Sequence, residues 1–285
     1  MIYIIIPIHN GIECTLKCLN SITLSSFTDY RVVIVDDGST DSSAEIIKKL
    51  YPETVILHGD GSLWWSGGIN KGINYALSNS CSHVMLLNND NIIAIDTLSE
   101  LVKSSNTNPD AIVCSLVYVL GSENIILFGG GYFNPIKGGL YIKDYFKHDE
   151  GQLLNDTLVE WCGGMGVLIP LVILKEVGLF DQINFPQYLG DADYMYRVRK
   201  AGFSVLLNPK SVVWNDRSTT GLVVKKSNIR ELLTSNKSNY NINSNLKFYY
   251  THFNILEFIA TIVVRYSIVS LSKFKKMILS GDENE

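Results

Sequence analysis

Cysteine is scarce and unpaired in this sequence. Five cysteines in 285 residues, odd in number and scattered at Cys14, Cys18, Cys81, Cys114 and Cys162, argue against a disulfide framework and for a reducing compartment. Cys14 and Cys18 sit one helical turn apart, but no second Cys or His pair accompanies them. They read as buried or neutral thiols and not as half of a metal site. A basic excess is also missing. Lys and Arg number 24 against 28 Asp and Glu, a net charge of -4, which argues against a general nucleic-acid partner. Charged residues make up 18% and hydrophobic residues 46%, the balance of a globular chain and not of a disordered one. No run reaches the roughly 20 uninterrupted apolar residues that span a bilayer; the nearest, 253–264, is broken by Glu257 and closed by Arg265. Residues 1–8 are apolar but have no basic leader and no small-residue cleavage site, so they read as a first strand and not as a secretory signal. The N-terminal region also lacks the glycine- and lysine-rich triphosphate loop of a nucleotidyltransferase.

What is present in the first half is alternation. Apolar runs predict strands at 2–6, 31–36, 54–58, 83–88 and 111–117, with helices at 12–24, 42–50, 67–79 and 95–105 between them. This β-α-β rhythm predicts a mostly parallel sheet covered by helices on both faces. Right-handed crossovers would bring the strand ends 7–10, 36–37, 58–60 and 88–90 to one edge, the edge where open α/β sheets hold ligands. The second half is less regular. The glycine-rich segments at 128–133 and 137–140 predict loops or hairpin turns, 160–169 predicts a glycine-rich turn entering a strand, 170–177 a short helix opened by Pro170, 191–201 a helix stopped by Gly202, and 204–207 a strand. The stretch 218–245 is rich in Asn, Ser, Thr and Lys and predicts a mobile loop around a short helix at 227–234. Residues 246–280 mix aromatic and branched side chains with Lys273, Lys275 and Lys276. One or two amphipathic helices are expected there, either packed on the core or lying on an anionic membrane face.

Four places carry residues suited to chemistry. The run Val35-Asp36-Asp37-Gly38-Ser39-Thr40-Asp41 ends a buried strand in two acids. Like charge disfavours phosphate there, so the acids suit a base, a ribose or a divalent cation, and Asp41 is placed to cap the next helix. Asn88-Asn89-Asp90 ends another strand. One carboxylate with two amides is a thin cation site unless a diphosphate supplies further oxygens. Gly59-Asp60-Gly61 leads into Trp64-Trp65-Ser66-Gly67-Gly68-Ile69-Asn70. Glycines at a helix start would let an anion approach the backbone, and the tryptophans either wall a sugar pocket or pack inside. Gly190-Asp191-Ala192-Asp193 opens a helix, where an acid is either a cap or a general base.

In combination these motifs resemble family 2 glycosyltransferases of GT-A fold, and more closely their bacterial rhamnosyltransferase-like branch. The similarity begins with Ile4-Ile5-Ile6-Pro7-Ile8-His9-Asn10 and the Asp36 to Asp41 run. It continues through Asn70-Lys71-Gly72 and Leu87-Asn88-Asn89-Asp90, and ends with Gly163-Gly164, Leu179-Phe180-Asp181 and Gly190 to Asp193, covering about 1–220. It implies a GT-A domain at 1–220, with a nucleotide-sugar half at 1–118 and an acceptor half at 119–220, and a C-terminal helical extension at 221–285. The implied reaction is an inverting transfer from a nucleoside-diphosphate sugar, dTDP-rhamnose in that branch, to a saccharide or polyprenyl-linked saccharide in surface polysaccharide synthesis. Pro7, Asn10, Asp36, Asp60, Gly67, Asn70 and Asn89 would surround the nucleotide. Asp90, with Asn88 beside it, would hold Mg²⁺ or Mn²⁺. Asp191 would take the acceptor proton, and Trp64, Trp65, Trp161, Gly163, Gly164 and Asp193 would line the sugar pocket. The resemblance also implies a cytoplasmic protein, in peripheral contact with the inner face of the membrane, and is compatible with a homodimer. Three positions depart from the pattern: Asn88 replaces a first carboxylate, Asn215 stands where many relatives have His, and Gly190 replaces Glu. The first two weaken a divalent site. A sugar-nucleotide binder without catalysis is the alternative.

Overall fold

The structure, a computed structural model, describes residues 1–122, 124–217 and 227–281, with side chains described through 272. Part of the expected loop at 218–245, residues 218–226, lies outside these, as do the side chains of Lys273, Lys275 and Lys276. In chain order the first half contains β1 (Ile2–Ile8), α1 (Ile12–Thr23), β2 (Tyr30–Asp36), α2 (Ser43–Leu50), β3 (Val55–His58), α3 (Trp64–Leu77), β4 (His83–Leu86), β5 (Asn91–Ile93), α4 (Thr97–Thr107) and β6 (Ala111–Val119). The second half contains β7 (Ile126–Phe128), β8 (Gly131–Asn134), β9 (Gly139–Ile142), β10 (Thr157–Leu158), β11 (Val167–Pro170), α5 (Leu171–Val177), α6 (Gly190–Lys200), β12 (Ser204–Asn215), α7 (Ile229–Thr234), α8 (Ile242–His252) and α9 (Ile255–Gly281).

The main sheet runs β10-β12-β6-β11-β4-β1-β2-β3. β1, β2, β3 and β4 are parallel, with Ile8 opposite Asp36 and Asp36 opposite His58. Their side chains are mostly β-branched or aliphatic, and β1 is buried almost throughout, as a strand covered on both faces must be. β11 is reversed, antiparallel to both β4 and β6, and the short edge strand β10 is antiparallel to β12. β12 returns parallel to β6, with an irregular register between Asn208 and Val212. Its far end pairs with β5, setting Asn215 opposite Asn91. That fold-back lays the end of a late strand beside Asp90, the residue just before β5.

Helix α3 begins at Trp64, three residues earlier than the sequence predicts, so Trp64 and Trp65 open the helix and do not precede it. Its glycines then lie inside the helix, and Gly68 and Gly72 are on the face toward β1: a Cβ on Gly68 would meet Pro7, and one on Gly72 would overlap Ile5. They permit close helix-to-strand packing and are not ligand approaches.

A second apolar cluster joins the C-terminal helices to the rest. Phe185, Ala192, Phe248 and Tyr249 are buried together, with Phe133, Tyr196 and Phe253 against them. Helix α9 is about 40 Å long at 1.5 Å per residue, and among its described side chains, through residue 272, only part of one face is covered. Ile255, Leu256, Ile259, Val263, Ile268 and Leu271 are exposed. Its Ile255–Ser272 window has a mean hydropathy of 1.7 and is long and apolar enough to cross a membrane.

Candidate active site

A cavity of about 560 Å³ opens at the carboxyl edge of β1 and β4, a volume in the range of small-molecule sites. Residues 7–11 after β1 and 88–90 after β4 line it, with Asp37 and Gly61 from the turns beyond β2 and β3, and Trp64 and Trp65 from the start of α3. Cys14, Gln187, Tyr188 and Lys237 complete the wall. A larger open groove of about 880 Å³ lies beside edge strand β3, among Arg31, Glu45, Lys48, Lys49 and Glu53. None of the sequence-predicted site residues falls in it.

The two adjacent acids after β2 divide their work. Asp36 is buried and its Oδ1 accepts the Ser39 amide at 2.9 Å; it closes its own turn and is not among the cavity-lining residues. Asp37 faces the cavity. Its Oδ1 accepts the Gly61 amide at 2.8 Å, and its Oδ2 accepts those of Leu63 and Trp64 at 2.9 and 3.1 Å. These bonds hold Trp64 in a left-handed conformation, φ 56°, which bulky L-residues seldom adopt. Such an outlier persists only where its surroundings over-determine it. Asn10 is also left-handed, φ 63°. Its Oδ1 accepts the Thr40 amide at 2.7 Å, so its side chain braces the Gly38–Thr40 turn at the cavity wall. Asp41 accepts the Ser43 amide at 3.1 Å and the Ile12 amide at 3.2 Å; it ties α1 to α2, while Ser42 occupies the cap position.

Asp60, Gly67 and Asn70 lie outside the cavity lining. Asp60 accepts the Ser62 amide at 3.0 Å on the exposed loop. Gly67 is buried within α3. Asn70 is buried, and its amide donates to the Phe180 carbonyl and to Gln182 Oε1 and accepts the Phe180 amide, at 2.8–2.9 Å. It fastens α3 to the segment that leads toward α6.

After β4, Asp90 Oδ1 accepts the Asn215 amide at 2.9 Å. Asn88 Oδ1 accepts the Trp65 indole N–H at 2.9 Å, and Asn89 donates to Thr15 Oγ1 at 3.1 Å. The donor set at this edge is therefore one carboxylate with amides already engaged, and among the described residues no three His, Cys, Asp or Glu gather to hold a metal. Such a set fits a hard cation that arrives on a diphosphate, with Asp90 as the protein carboxylate, because Mg²⁺ takes one or two carboxylates and fills the rest with phosphate oxygens and water. It does not fit a cation held by side chains alone. Cys18 is fully buried under this turn, its Sγ 3.6 Å from the Asn88 carbonyl. All five cysteines are free thiols.

Asp191, in the first turn of α6 and three residues after the cavity-lining Tyr188, is not itself among the cavity-lining residues. Its Oδ1 accepts the Ala192 amide at 2.8 Å. Gly163 approaches its Oδ2, so that a Cβ there would lie 3.3 Å away. Burial raises its carboxyl from the ordinary 3.8 to about 6, against the opposing pull of the Ala192 and Gly164 amides. Burial, and then the charge of Asp191, push up the phenol of Tyr188 on the cavity wall. Trp65 bridges the two halves. Its ring lies where any side chain at Gly164 would be, and its backbone amide reaches Gln187 Oε1 at 3.2 Å. At Gly190 an added Cβ would overlap Ser66 Oγ, so the Glu that the resemblance implies there has no room.

Asp193 and Trp161, both expected in the sugar pocket, are packed elsewhere. Asp193 is buried, pairs with Arg197 Nε at 2.9 Å and shares a hydrogen bond with His252 Nε2 at 2.8 Å; it locks α6 to α8. Trp161 donates from its indole to the Tyr132 carbonyl at 3.2 Å and sits edge-on to Phe128. Gln187, Tyr188, Cys14, His9 and Lys237 line the cavity, although none of them is among the site residues expected from sequence. Tyr188 carried a signal, its place just before the acidic helix start. Lys237 carried none.

Comparison with known proteins agrees with this geometry. The model of glycosyl transferase family 2 matches residues 3–162. GlyA of Streptococcus pneumoniae, a glycosyltransferase, is 24% identical over 236 residues, 82% of this chain and 32% of GlyA. The poly(ribitol-phosphate) beta-glucosyltransferase of Bacillus spizizenii is 26% identical over 199 residues, 67% of this chain and 28% of that protein. The chain thus spans about a third of the length of these relatives. Among solved structures, GalNAc-T7 with UDP, GalNAc and Mn²⁺ superposes with TM-score 0.63 at 14% identity, covering 96% of this chain and 58% of the other. The mannosyltransferase PcManGT of Pyrobaculum calidifontis, with GDP-Man and Mn²⁺, gives 0.62 at 14%, covering 99% and 75%. With the sheet order, the cavity at the strand ends and the matched residues in agreement, the chain belongs to glycosyltransferase family 2 and has the GT-A fold.

Proposed function

We propose that this chain is an inverting glycosyltransferase. It moves a sugar from a nucleoside-diphosphate donor to a hydroxyl of a saccharide or polyprenyl-linked saccharide. The observation that carries the reading is Asp191: a half-buried carboxyl, raised to about 6, three residues from Tyr188 on the wall of a cavity at the strand ends. A base is most effective when its pKa lies near the working pH. The donor's nucleotide occupies the side of Pro7, Asn10 and Asn89, with Trp64 as an aromatic wall held by Asp37. The acceptor enters past Tyr188, Gly163 and Gly164. Its hydroxyl attacks the anomeric carbon as Asp191 takes the proton, and the bond to the diphosphate breaks on the opposite face. No covalent enzyme intermediate is needed. Asp90, with Asn88 beside it, would hold Mg²⁺ or Mn²⁺; when bound, that ion supplies Lewis-acid stabilisation of the diphosphate.

The finer readings rest on the same base. Residues 1–118 serve the donor, 119–220 the acceptor, and 221–285 form an appended helical part. dTDP-rhamnose and uridine-diphosphate hexoses are the donors to compare, with surface polysaccharide as the product class. The exposed apolar residues of α9 support peripheral contact with the inner face of the cell membrane, and a homodimer is compatible with the same surface. The engaged Asn88 oxygen favours the second reading, a sugar-nucleotide binder without turnover. Donor-consumption assays on Asp191→Asn separate them. Transfer should fall about 10²- to 10⁴-fold, the usual share of general-base catalysis, while nucleotide affinity stays. Full turnover by the folded variant would remove Asp191 from the chemistry.

A further inference from the structure

Lys237 enters the cavity from the segment between α7 and α8, beyond the part of the chain that the family model matches. Among the described residues that line the cavity it is the one lysine or arginine. Its ammonium forms no ion pair with a carboxylate among the described residues. Its side chain is exposed, but its backbone is fastened. The Lys237 amide donates to Ser235 Oγ at 3.1 Å. The Asn239 carbonyl accepts both Asn245 Nδ2 at 3.0 Å and Arg265 Nη2 at 2.7 Å. The Tyr240 carbonyl accepts the Tyr266 hydroxyl at 3.1 Å, and the Arg265 guanidinium lies 4.7 Å over the Tyr240 ring. Helices α8 and α9 therefore set where this lysine begins, which lowers the ordering cost of using it.

The rest of the cavity explains what it is for. Asp37 and Asp90 both line the wall, and the amides around them leave side chains alone unable to hold a divalent ion, as described above. A departing nucleoside diphosphate adds negative charge to a site that is already acidic. We propose that Lys237 binds the diphosphate of the donor and neutralises it as the sugar leaves, and that α8 and α9 serve the reaction by holding it in place. The inference rests on the glycosyl-transfer reading above. In the step itself the anomeric C–O bond to the β-phosphate breaks and its electron pair goes to the phosphate oxygen. The acceptor C–O bond forms and its proton passes to Asp191. No proton passes to or from Lys237 in this step.

Calorimetric titration of the full chain tests this. UDP, dTDP and GDP are compared with their nucleosides, in EDTA and in Mn²⁺. Wild-type protein should bind the matching diphosphate more tightly than its nucleoside even in EDTA. Lys237→Ala should weaken the diphosphate about 10- to 100-fold, the worth of a charge-assisted hydrogen bond, and leave the nucleoside unchanged. Lys237→Arg should keep most of the gain. Equal diphosphate affinity in wild type and Lys237→Ala overturns this assignment alone. Failure of wild type to bind any of the three diphosphates overturns the transferase reading and this inference with it.

Discussion

Replacing Asp191 by Asn should change stability as well as turnover, in a direction that depends on pH. Burial raises this carboxyl from 3.8 to about 6, so the folded protein binds the proton more tightly than the unfolded chain does. A raised pKa contributes stability that is complete below about pH 4 and is lost as pH climbs through about 6. The difference of about two units, at about 1.36 kcal/mol each, gives about 3 kcal/mol as the cost of keeping the charge buried at pH 8. Asn escapes that cost. It also loses an acceptor, since one of the carboxylate's backbone amide partners, Ala192 or Gly164, would then face an NH₂ group, a loss of about 1 kcal/mol. The net expectation is a variant that is about 1 kcal/mol less stable than wild type at pH 4 and about 2 kcal/mol more stable at pH 8. In a protein of this size that is a rise of roughly 4–8 °C in Tm at the higher pH. Urea unfolding of both proteins at half-unit steps from pH 4 to 8 measures it, because other titrating groups cancel in the difference. A difference that stays flat across the range would refute the claim that Asp191 is held neutral-prone in the free protein.

The same titration should appear in catalysis: kcat/KM should rise with pH along a one-proton limb centred near 6, and a profile flat down to pH 5 would exclude Asp191 as the base. Asp193→Ala should cost roughly 3 kcal/mol in urea unfolding, because it strands Arg197 and His252 against α6; a loss below 1 kcal/mol would mean the pair is solvated. Gly72→Ala should destabilise by roughly 1–3 kcal/mol through overlap with Ile5, and Ile5→Val in the same chain should recover part of it, which a double-mutant cycle resolves. Asp37→Ala should lower stability by about 2 kcal/mol and weaken nucleotide binding together, since it frees three amides that fix Trp64.

The alternating first half was legible because strand and helix periods are local properties, and β1 to β4 need only those periods and right-handed crossovers to line up. The site was legible at strand ends, Pro7, Asn10, Asn89 and Asp90, for the same reason. What local pattern could not decide was direction. Asp36 and Asp37 are adjacent and chemically identical, and only the exit angle of the strand turns one into the wall and the other into the cavity. Gly67 and Asn70 read as ligand contacts because nothing local reveals that both face the segment around Gln182, more than a hundred residues on. Asp193 looked like a pocket acid because its partner His252 comes from a helix 59 residues later. Lys237 is further still from the motifs it joins, and nothing in the spacing between them encodes that meeting.

The reversed strand β11 bears on how such a protein could change its acceptor. Four parallel strands present their exits at the rim, and a strand running the other way presents its entrance there, so Gly163 and Gly164 reach the same rim from the opposite direction. The connection that delivers them spans β7 to β10 and is followed by β11, which pairs with β4. Lengthening, shortening or exchanging that connection would leave the register of β1, β2 and β3 as it is. On the proposed division of donor and acceptor sides, the two recognitions can therefore drift at different rates, and a chimera that trades residues 120–166 between relatives should keep its sugar nucleotide while adopting a new hydroxyl.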